Sequence, residues 1–480
     1  MNTPPPNVLW ICTDQQRVDT LGCYGNPFVH TPNLDRLAND GMRFANAFCQ
    51  SPVCTPSRAS FLTGRYPRTT RCRQNGQSIP DDERIIPKVF HDAGYTCGLS
   101  GKLHLSACNP AACPIRERRI DDGYDQFYWS HDTGDRWPAN EYIQHLEDHR
   151  IRRKPEPSPH SKYVCFGPAE AFGQTAWCID RAITFIRAAA RTKTPWLFSV
   201  NVFDPHHPFD PPREAVEHFG ERLRDIPLPC YTEGELASKP VWQTIDHQAA
   251  YGGKGGYPYD RMTDEDHRWI RAAYWAMVEV IDRQVGRLLD FLEQIGQRDN
   301  TIIVFMSDHG EMLGDHGIYL KGPYCYDCGI HVPLIMTGPG IRAGSVSHEL
   351  VELIDLAPAL LDAAGLDHHP GMQGRSIWPI LTGEKGRPTH RNDVICEFYG
   401  ANFSYEPPAY TTMIRTQTHK LTVAHDQGTG ELYDLEQDPR EIHNRWDDPA
   451  YADLRHRLLV RLADRMAWTA DPLPERQAVW

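Results

Sequence analysis

The sequence lacks any long apolar run. Of its 480 residues, 40% are hydrophobic and 24% are charged, which are ordinary proportions for a globular protein. No stretch reaches the roughly 18 consecutive apolar residues that a membrane-spanning helix needs. The first six residues also lack the basic and apolar segments of a secretory signal. These absences predict a protein without a membrane span, located in the cytoplasm.

Basic residues are in the minority, since 50 Lys and Arg stand against 63 Asp and Glu, a net charge of −13. This balance argues against nucleic-acid binding by bulk charge, although a local cationic pocket could still bind a small anion. Zinc-binding cysteine pairs are missing too, because Cys325 and Cys328 form a single C-x-x-C. Without a secretory signal, the 14 cysteines indicate reduced, mostly buried thiols rather than a disulfide framework.

Buried-strand patterns alternate with helical patterns over residues 1–380, which we predict to be one domain. Such alternation predicts an α/β fold with a mostly parallel sheet, doubly wound with helices on both faces. The predicted strands are Asn7–Cys12, Tyr95–Leu99, Trp196–Val202, Thr301–Met306 and Val332–Thr337. The predicted helices are Leu34–Ala38, Pro80–Gly94, Glu170–Ala190, Thr263–Ile295 (one helix or two) and Leu356–Ala364.

The pattern changes in residues 381–480, which we predict to be a small second domain. Short strand patterns separated by turn residues indicate an antiparallel sheet, followed by a helix. They are Val394–Phe398, Thr412–Arg415, Lys420–Val423 and Glu431–Leu435, with the helix at Tyr451–Trp468. Residues 107–168 and 210–260 show no clear pattern, and long irregular segments of this kind typically form lids or binding loops.

Polar side chains follow two of the predicted strands. Asp14 and Gln15 come directly after the first strand, and Asp308 and His309 follow Thr301–Met306. Ligands of doubly wound sheets collect beyond the carboxyl ends of strands. These two corners could therefore offer two carboxylates, an amide oxygen and an imidazole to one metal ion. A single Asp at such a place is more often a helix cap, so the argument depends on the pair.

Cys54 stands two residues before Pro56, which suits the first turn of a helix. Free N–H groups at a helix start favour an anion, and Arg58 could point to the same spot. Taken alone, these residue types favour a buried thiol and a surface arginine. The longer pattern C-x-P-S-R-x-x-x-L-T-G-R, from Cys54 to Arg65, changes this interpretation.

That pattern resembles the signature of the sulfatase family, and the resemblance extends through motifs from about residue 7 to residue 364. It implies an alkaline-phosphatase-like fold and hydrolysis of a sulfate monoester. In this family a formylglycine-generating enzyme converts the cysteine to formylglycine, whose hydrated aldehyde is the nucleophile. Here that residue is Cys54.

The resemblance also assigns the other site residues. It implies that Arg58 and Lys102 stabilise the formylglycine diol and that His104 takes a proton from it. Lys321 and His206 would bind the sulfate, and either would protonate the leaving oxygen. His206 is chosen over His207 from its place in P-H-x-P. The metal ligands implied are Asp14, Gln15, Cys54 (through its diol), Asp308 and His309.

Two ligand positions depart from the common family pattern. Gln15 stands where a carboxylate is usual, and His309 where Asn is frequent, which is similar to the phosphonate monoester hydrolase branch. Imidazole is a softer ligand than calcium prefers, so manganese rivals the family's usual calcium. A phosphonate monoester or phosphodiester is therefore an alternative substrate. A non-catalytic protein that binds sulfated ligands is the third hypothesis, if Cys54 stays a thiol.

We expect one metal ion, because the sequence shows no second His/Asp cluster. Cys108 and Cys113 lie in a proline-rich loop and are predicted to have no function. The expected partners are a small ester and the maturation enzyme, with no nucleic acid or membrane. A homo-oligomer is left open.

Overall fold

The centre of the molecule is an eight-stranded, mostly parallel sheet. The structure, a computed structural model, describes residues 4–478. The strands are β1 Asn7–Thr13, β2 Met42–Phe44, β3 Ala47–Phe48, β4 Thr96–Gly101, β5 Gln126–Trp129, β6 Glu156–Pro157, β7 Cys165–Phe166, β8 Trp196–Asn201, β9 Thr301–Ser307, β10 Leu334–Thr337, β11 Ser345–Ser347, β12 Val351–Glu352, β13 Val394–Tyr399, β14 Tyr410–Arg415, β15 His419–Ala424 and β16 Thr429–Asp434. The large sheet has the order β11-β2-β10-β9-β1-β8-β4-β5.

Helices cover both faces of this sheet. They are α1 Pro32–Asn39, α2 Cys54–Thr63, α3 Pro67–Thr70, α4 Ile86–Asp92, α5 Glu141–Asp148, α6 Gln174–Ala189, α7 Arg213–Val216, α8 Val241–Gln248, α9 Ala250–Gly253, α10 Asp264–Gln294, α11 Asp327–Ile330, α12 Leu356–Ala364, α13 Trp378–Thr382 and α14 Ala452–Trp468. Within the described residues, no helix is both long and apolar enough to cross a bilayer. The fourteen cysteines are free thiols, and most of them are buried.

Strand β1 shows why its sequence is apolar without alternation. Leu9 and Ile11 belong to the core under α1, α6 and α10, whereas Val8 and Trp10 belong to the opposite core, with α2 and α12. A strand buried on both faces needs apolar residues at every position. The predicted doubly wound α/β fold is thereby confirmed.

Strand β10 is the exception to the parallel order. It runs antiparallel to both of its neighbours, β9 and β2. The segment before β10 therefore lies at the same edge as the carboxyl ends of β1 and β9. That reversal brings Lys321, which precedes β10 in sequence, to the edge where the other predicted site residues lie.

Several predicted helices differ from the structure in their bounds, and Pro80–Gly94 differs most. The predicted helix Pro80–Gly94 is wrong over its first part, because α4 begins only at Ile86. Pro87 has no N–H and its ring would clash with a preceding turn, so it fits only the first turn of a helix. Thr263–Ile295, left open as one helix or two, is the single helix α10, which starts at a capping box of Thr263 and Asp266.

The carboxyl-terminal region confirms the predicted small antiparallel sheet. Strands β13–β16 pair in sequence order, each antiparallel to the next. Helix α14 buries Leu458 and Leu462 against Ile395 and Leu421 of this sheet. Val394 in β13 packs with the core of the large sheet, so the two sheets share a packed boundary. The division at residue 380 stays a prediction.

Gly101 ends β4 with φ +99°, and a Cβ built there would lie 1.9 Å from the carbonyl oxygen of Asn201. Gly94 has a similar φ of +89° but open space around it. We expect Gly101→Ala to destabilise the protein by about 3–5 kcal/mol, since the strands must separate. Gly94→Ala should lower the free energy of unfolding by only about 1–2 kcal/mol, because the left-handed backbone is the one source of strain there. Equal shifts of the urea midpoint for the two variants would contradict this account.

Candidate active site

Strand register brings the predicted carboxylates together. Thr13 of β1 is opposite Ser307 of β9, so Asp14 and Asp308 leave adjacent strand ends. The backbone N–H of Asp308 donates to the Thr13 carbonyl oxygen at 3.2 Å. Gly101 is opposite Asn201 in β8, and Lys102 follows it. The edge of the sheet thus collects two carboxylates and an amine from three strands.

Cys54 is the first residue of α2, whereas a helix starting at Pro56 would have placed Cys54 just ahead of its first turn. Its side chain is almost fully buried, yet polar groups surround the sulfur. Sγ lies 3.2 Å from His309 Nε2, 3.2 Å from Lys321 Nζ, 3.6 Å from Lys102 Nζ and 3.6 Å from Asp14 Oδ1. The predicted nucleophile position and metal ligands are therefore in direct contact.

These residues could hold one metal ion. One potential ligand atom from each of Asp14, Cys54, Asp308 and His309 lies within 4.8 Å of the other three. His309 Nδ1 donates to the Gly310 carbonyl oxygen at 2.9 Å, which directs Nε2 toward Cys54. Two carboxylates and an imidazole are a donor set for a divalent cation.

Arg58 lies behind this group rather than on its open side. Its Nε donates to Asp308 at 2.8 Å, one terminal nitrogen donates to Asp14 at 3.2 Å, and the other donates to the Lys102 carbonyl oxygen at 2.9 Å. Burial opposes ionisation of Asp14, but the charges of Lys102 and Arg58 outweigh it and hold the pKa of Asp14 well below its usual range.

Sequence analysis missed Glu311, which controls the side chain of Gln15. The buried Glu311 carboxylate accepts from Gln15 Nε2, and from the backbone N–H groups of Leu313 at 2.9 Å and Leu320 at 2.5 Å. Gln15 Oε1 is then left to accept from Lys321 Nζ at 2.5 Å. Glu311 stands three residues after Asp308, just beyond a strand end, and that position was the available signal.

A cavity of about 620 Å³ opens beside Cys54. Lys102, His104, His206 and Lys321 line it, whereas Arg58 is not among its lining residues. The two segments without a clear sequence pattern form much of the outer wall, through residues Asn109, His131, Asp132, Arg136, Arg153 and Tyr251. The expectation that these segments shape a binding site agrees with their position.

His206 and Lys321 form a hydrogen-bonded pair at the cavity wall. His206 Nδ1 donates to the His207 carbonyl oxygen at 2.6 Å, so its Nε2 accepts from Lys321 Nζ at 2.8 Å. Burial and the neighbouring Lys321 hold the pKa of His206 well below its usual range. His206 is therefore a neutral acceptor at neutral pH, and Lys321 is the proton donor of the pair.

His104 has a different environment. Its backbone adopts φ +57°, and its buried Nδ1 has no hydrogen-bond partner. Burial and Lys102 hold its pKa well below the usual range, so the ring is neutral. A neutral imidazole with a free lone pair can accept a proton from a group in the cavity.

The surrounding charges also act on the Cys54 thiol. Burial and Asp14 oppose its ionisation, but Lys102, Lys321 and His309 outweigh them and lower the pKa of Cys54. The pocket at Cys54 therefore stabilises a negative charge.

Comparisons with known proteins identify the family. The sulfatase family profile matches residues 6–366. The chain belongs to the sulfatase family. It is an enzyme that hydrolyses sulfate esters, and the predictions of family and alkaline-phosphatase-like fold are confirmed. A second profile, the carboxyl-terminal region of N-sulphoglucosamine sulphohydrolase, matches residues 314–467.

Individual sulfatase relatives cover nearly the whole chain. An N-acetylglucosamine-6-O-sulfatase of Bacteroides thetaiotaomicron is 27% identical, over 99% of this chain and 88% of the relative. A choline-sulfatase of Rhizobium meliloti is 30% identical, over 94% of this chain and 84% of the relative. A solved phosphonate monoester hydrolase from Silicibacter pomeroyi has a TM-score of 0.83 and 26% identity, covering 97% and 96% of the two chains.

The charge balance predicts how Cys54 titrates in protein that still carries the thiol. We expect its thiolate to form below the pH at which an ordinary cysteine ionises, and Lys321→Met to move this titration upward by about one unit or more. The thiolate absorbance, measured against Cys54→Ser as the blank, reports it. Lys254→Met, at an exposed lysine, is the control. A titration that Lys321→Met leaves in place would contradict the assignment of charges.

Proposed function

We propose that this sulfatase cleaves a sulfate monoester with Cys54, converted to formylglycine, as nucleophile and with one divalent metal ion. The observation that carries the proposal is the contact of Cys54 Sγ with Lys321, His309, Lys102 and Asp14 at 3.2–3.6 Å. A nucleophile on that atom would have metal ligands on one side and two amines on the other. Conversion of Cys54 requires a formylglycine-generating enzyme as a partner.

The donor set fits one divalent cation. Asp14, Asp308 and His309 would hold it together with Gln15 Oε1 and the modified Cys54, and it would supply positive charge to the sulfuryl oxygens. Calcium is the usual ion of the family, and the imidazole of His309 favours manganese more than an all-oxygen site would. Arg58 and Lys102 balance the two carboxylates, so a bound divalent cation would give the site a net positive charge, which suits an anionic ester.

Formylglycine supplies a hydrated aldehyde, with one hydroxyl to attack sulfur and a second whose proton can be removed. A serine at this place has no such second hydroxyl and would remain sulfated. His104, neutral and without a partner at Nδ1, suits the removal of that second proton. His104 would accept that proton as sulfate leaves and would pass it to solvent before the next turnover.

Lys102 and Lys321 would bind the sulfate oxygens, because both amines reach Cys54 Sγ from the cavity wall. When the ester S–O bond breaks, the leaving oxygen needs a proton. Lys321 already donates to His206 Nε2 at 2.8 Å. We assign the proton to Lys321, with His206 orienting its amine, which narrows the two options that the family resemblance implied.

Arg58 has the role of holding the carboxylates in place. All of its nitrogens donate to Asp308, Asp14 or the Lys102 backbone, and it does not line the cavity. It would thus stabilise the nucleophile through these partners.

A second candidate function is hydrolysis of a phosphonate monoester or phosphodiester at the same centre. The structural similarity to the Silicibacter pomeroyi phosphonate monoester hydrolase, with a TM-score of 0.83, favours keeping it. The ligand variants Gln15 and His309 are the sequence features that favour this second function. Comparison of kcat/KM for an aryl sulfate and a phenyl phosphonate ester decides between them. A large preference for the phosphonate would overturn the choice of sulfate.

The first test concerns Cys54 itself. After expression with the maturation enzyme, mass spectrometry of the Cys54 peptide should show an aldehyde in place of the thiol. Cys54→Ser should lower aryl sulfate turnover by at least about 1000-fold, as loss of a nucleophile does. Cys72→Ser, at another buried cysteine, should keep turnover. Unchanged turnover in Cys54→Ser, or an unmodified thiol in protein that turns over, would refute the nucleophile, whereas an unmodified thiol in protein without turnover would favour a non-catalytic binder.

The second test concerns the orientation of Gln15. Glu311→Gln replaces an acceptor by an amide that cannot accept from Gln15 Nε2 while it also serves Leu313 and Leu320. Gln15 should then rotate its oxygen away, and the affinity for calcium or manganese should fall by about 10–100-fold. Calorimetric titration of the metal measures it. Glu279→Gln removes another buried carboxylate, one that accepts from the His30 N–H, and serves as the control. Equal metal affinities in Glu311→Gln and Glu279→Gln would contradict the assignment of Gln15 as a metal ligand.

A further inference from the structure

A second cluster of metal-ligating side chains lies on the wall of the cavity. It consists of His104, Cys108 and His131, which we call the His-Cys-His cluster. One ring nitrogen of each histidine and the Cys108 sulfur lie within 4.8 Å of one another. The sequence showed no such group, because His131 follows a different strand from His104 and Cys108.

Strand pairing builds this cluster in the same way as the first site. Gly101 of β4 is opposite Trp129 of β5, and His104 and His131 follow these two strand ends. The rings meet edge to face, with centroids 4.6 Å apart. Trp137 packs edge-on against His131 at 5.2 Å, which restrains the second ring.

Glu117 fixes the backbone at His104. Its carboxylate accepts from the N–H groups of His104 and Leu105, both at 3.2 Å, and from Trp129 Nε1 at 2.7 Å. The Glu117 carboxylate therefore holds the segment that follows β4 to the last residue of β5. A rigid cluster of this kind needs little reorganisation to bind an ion.

Both histidines have unused binding capacity. Nδ1 of His104 and Nδ1 of His131 are buried and have no hydrogen-bond partner, and a buried polar atom without a partner destabilises the folded state. Burial and Lys102 lower the pKa of His131 to about 3, so this ring is neutral and its lone pair is available. The charge of Lys102 is compensated by its ion pair with Asp14, and that of Arg136 by its ion pair with Asp132.

We propose that His104, Cys108 and His131 bind a zinc-like transition-metal ion, with a fourth coordination position open to the cavity. Two imidazoles and one thiolate form a donor set typical of zinc, whereas calcium and magnesium prefer oxygen ligands. On binding, the Cys108 thiol releases its proton to solvent and forms the sulfur–metal bond. The cluster is thus distinct in chemistry from the carboxylate-rich centre at Cys54.

Such an ion would inhibit the enzyme, a consequence that rests on the proposed function. The ion would occupy the lone pair of His104 that the mechanism uses to remove a proton. Zinc at this cluster should therefore block turnover without displacing the ion held by Asp14 and Asp308.

The binding test uses cobalt as a spectroscopic probe in Cys54→Ala protein, which removes the thiol from the first centre, with calcium in excess. We expect one equivalent of Co²⁺ to give a thiolate charge-transfer band that Zn²⁺ abolishes by displacement. Adding Cys108→Ser should remove the band and weaken zinc binding at least about 10-fold. Adding Cys113→Ser, at the neighbouring cysteine outside the cluster, should preserve both.

Absence of the band in Cys54→Ala protein, or its persistence after Cys108→Ser in protein with an unchanged circular dichroism spectrum, would overturn the proposal. His131→Gln is an independent check and should weaken zinc binding without touching any cysteine. A second measurement follows aryl sulfate turnover of mature enzyme against added Zn²⁺, and Cys108→Ser should raise the inhibitory concentration at least about 10-fold. A cobalt band without inhibition would uphold the cluster and instead remove His104 from the proposed mechanism.

Discussion

Arg58 lies between the carboxylates of Asp14 and Asp308, and all three side chains are buried from solvent. Removing one partner from such a group typically costs about 3–5 kcal/mol, because the remaining charge is left unpaired in the interior. Arg58 also donates to the Lys102 carbonyl oxygen, so it joins α2 to the ends of β1, β9 and β4. Cys54 is one turn earlier on α2. The position of Cys54 against the metal ligands therefore depends on the buried ion pairs that Arg58 forms with the two carboxylates.

The same buried ion pairs decide the net charge that a substrate meets beside Cys54. Arg58 and Lys102 compensate the two carboxylates, so Lys321 contributes an additional positive charge beside Cys54. His104 and His206 do not add to it, because burial keeps both rings neutral. A protein with a net charge of −13 thus presents a cationic wall beside Cys54. That wall suits a sulfate ester, whose negative charge is confined to one end of the molecule.

Much of the centre could be predicted because strand ends are visible in the sequence. Asp14 and Asp308 each follow a continuous apolar run and Lys102 follows a predicted strand, and parallel strands place such ends at one edge. The role of Glu311 and the His-Cys-His cluster could not be predicted this way. The partner of Glu311 is the amide of Gln15, nearly 300 residues away in sequence, and β5 is too short and too exposed to show a strand pattern. The direction of β10 was likewise hidden, since a strand pattern is the same in both directions.

The sequence by itself determined the doubly wound sheet, the small antiparallel region and the sulfatase family, because apolar periodicity and the motif around Cys54 are local properties. Only the tertiary structure decided how these residues act on one another. It turned Arg58 away from the cavity, oriented the amide of Gln15 through Glu311 and made Lys321 a donor to His206. It also brought His104, Cys108 and His131 together. Hydrogen-bond direction, charge compensation and burial depend on distances across the fold, and those distances exist only once the strands have paired.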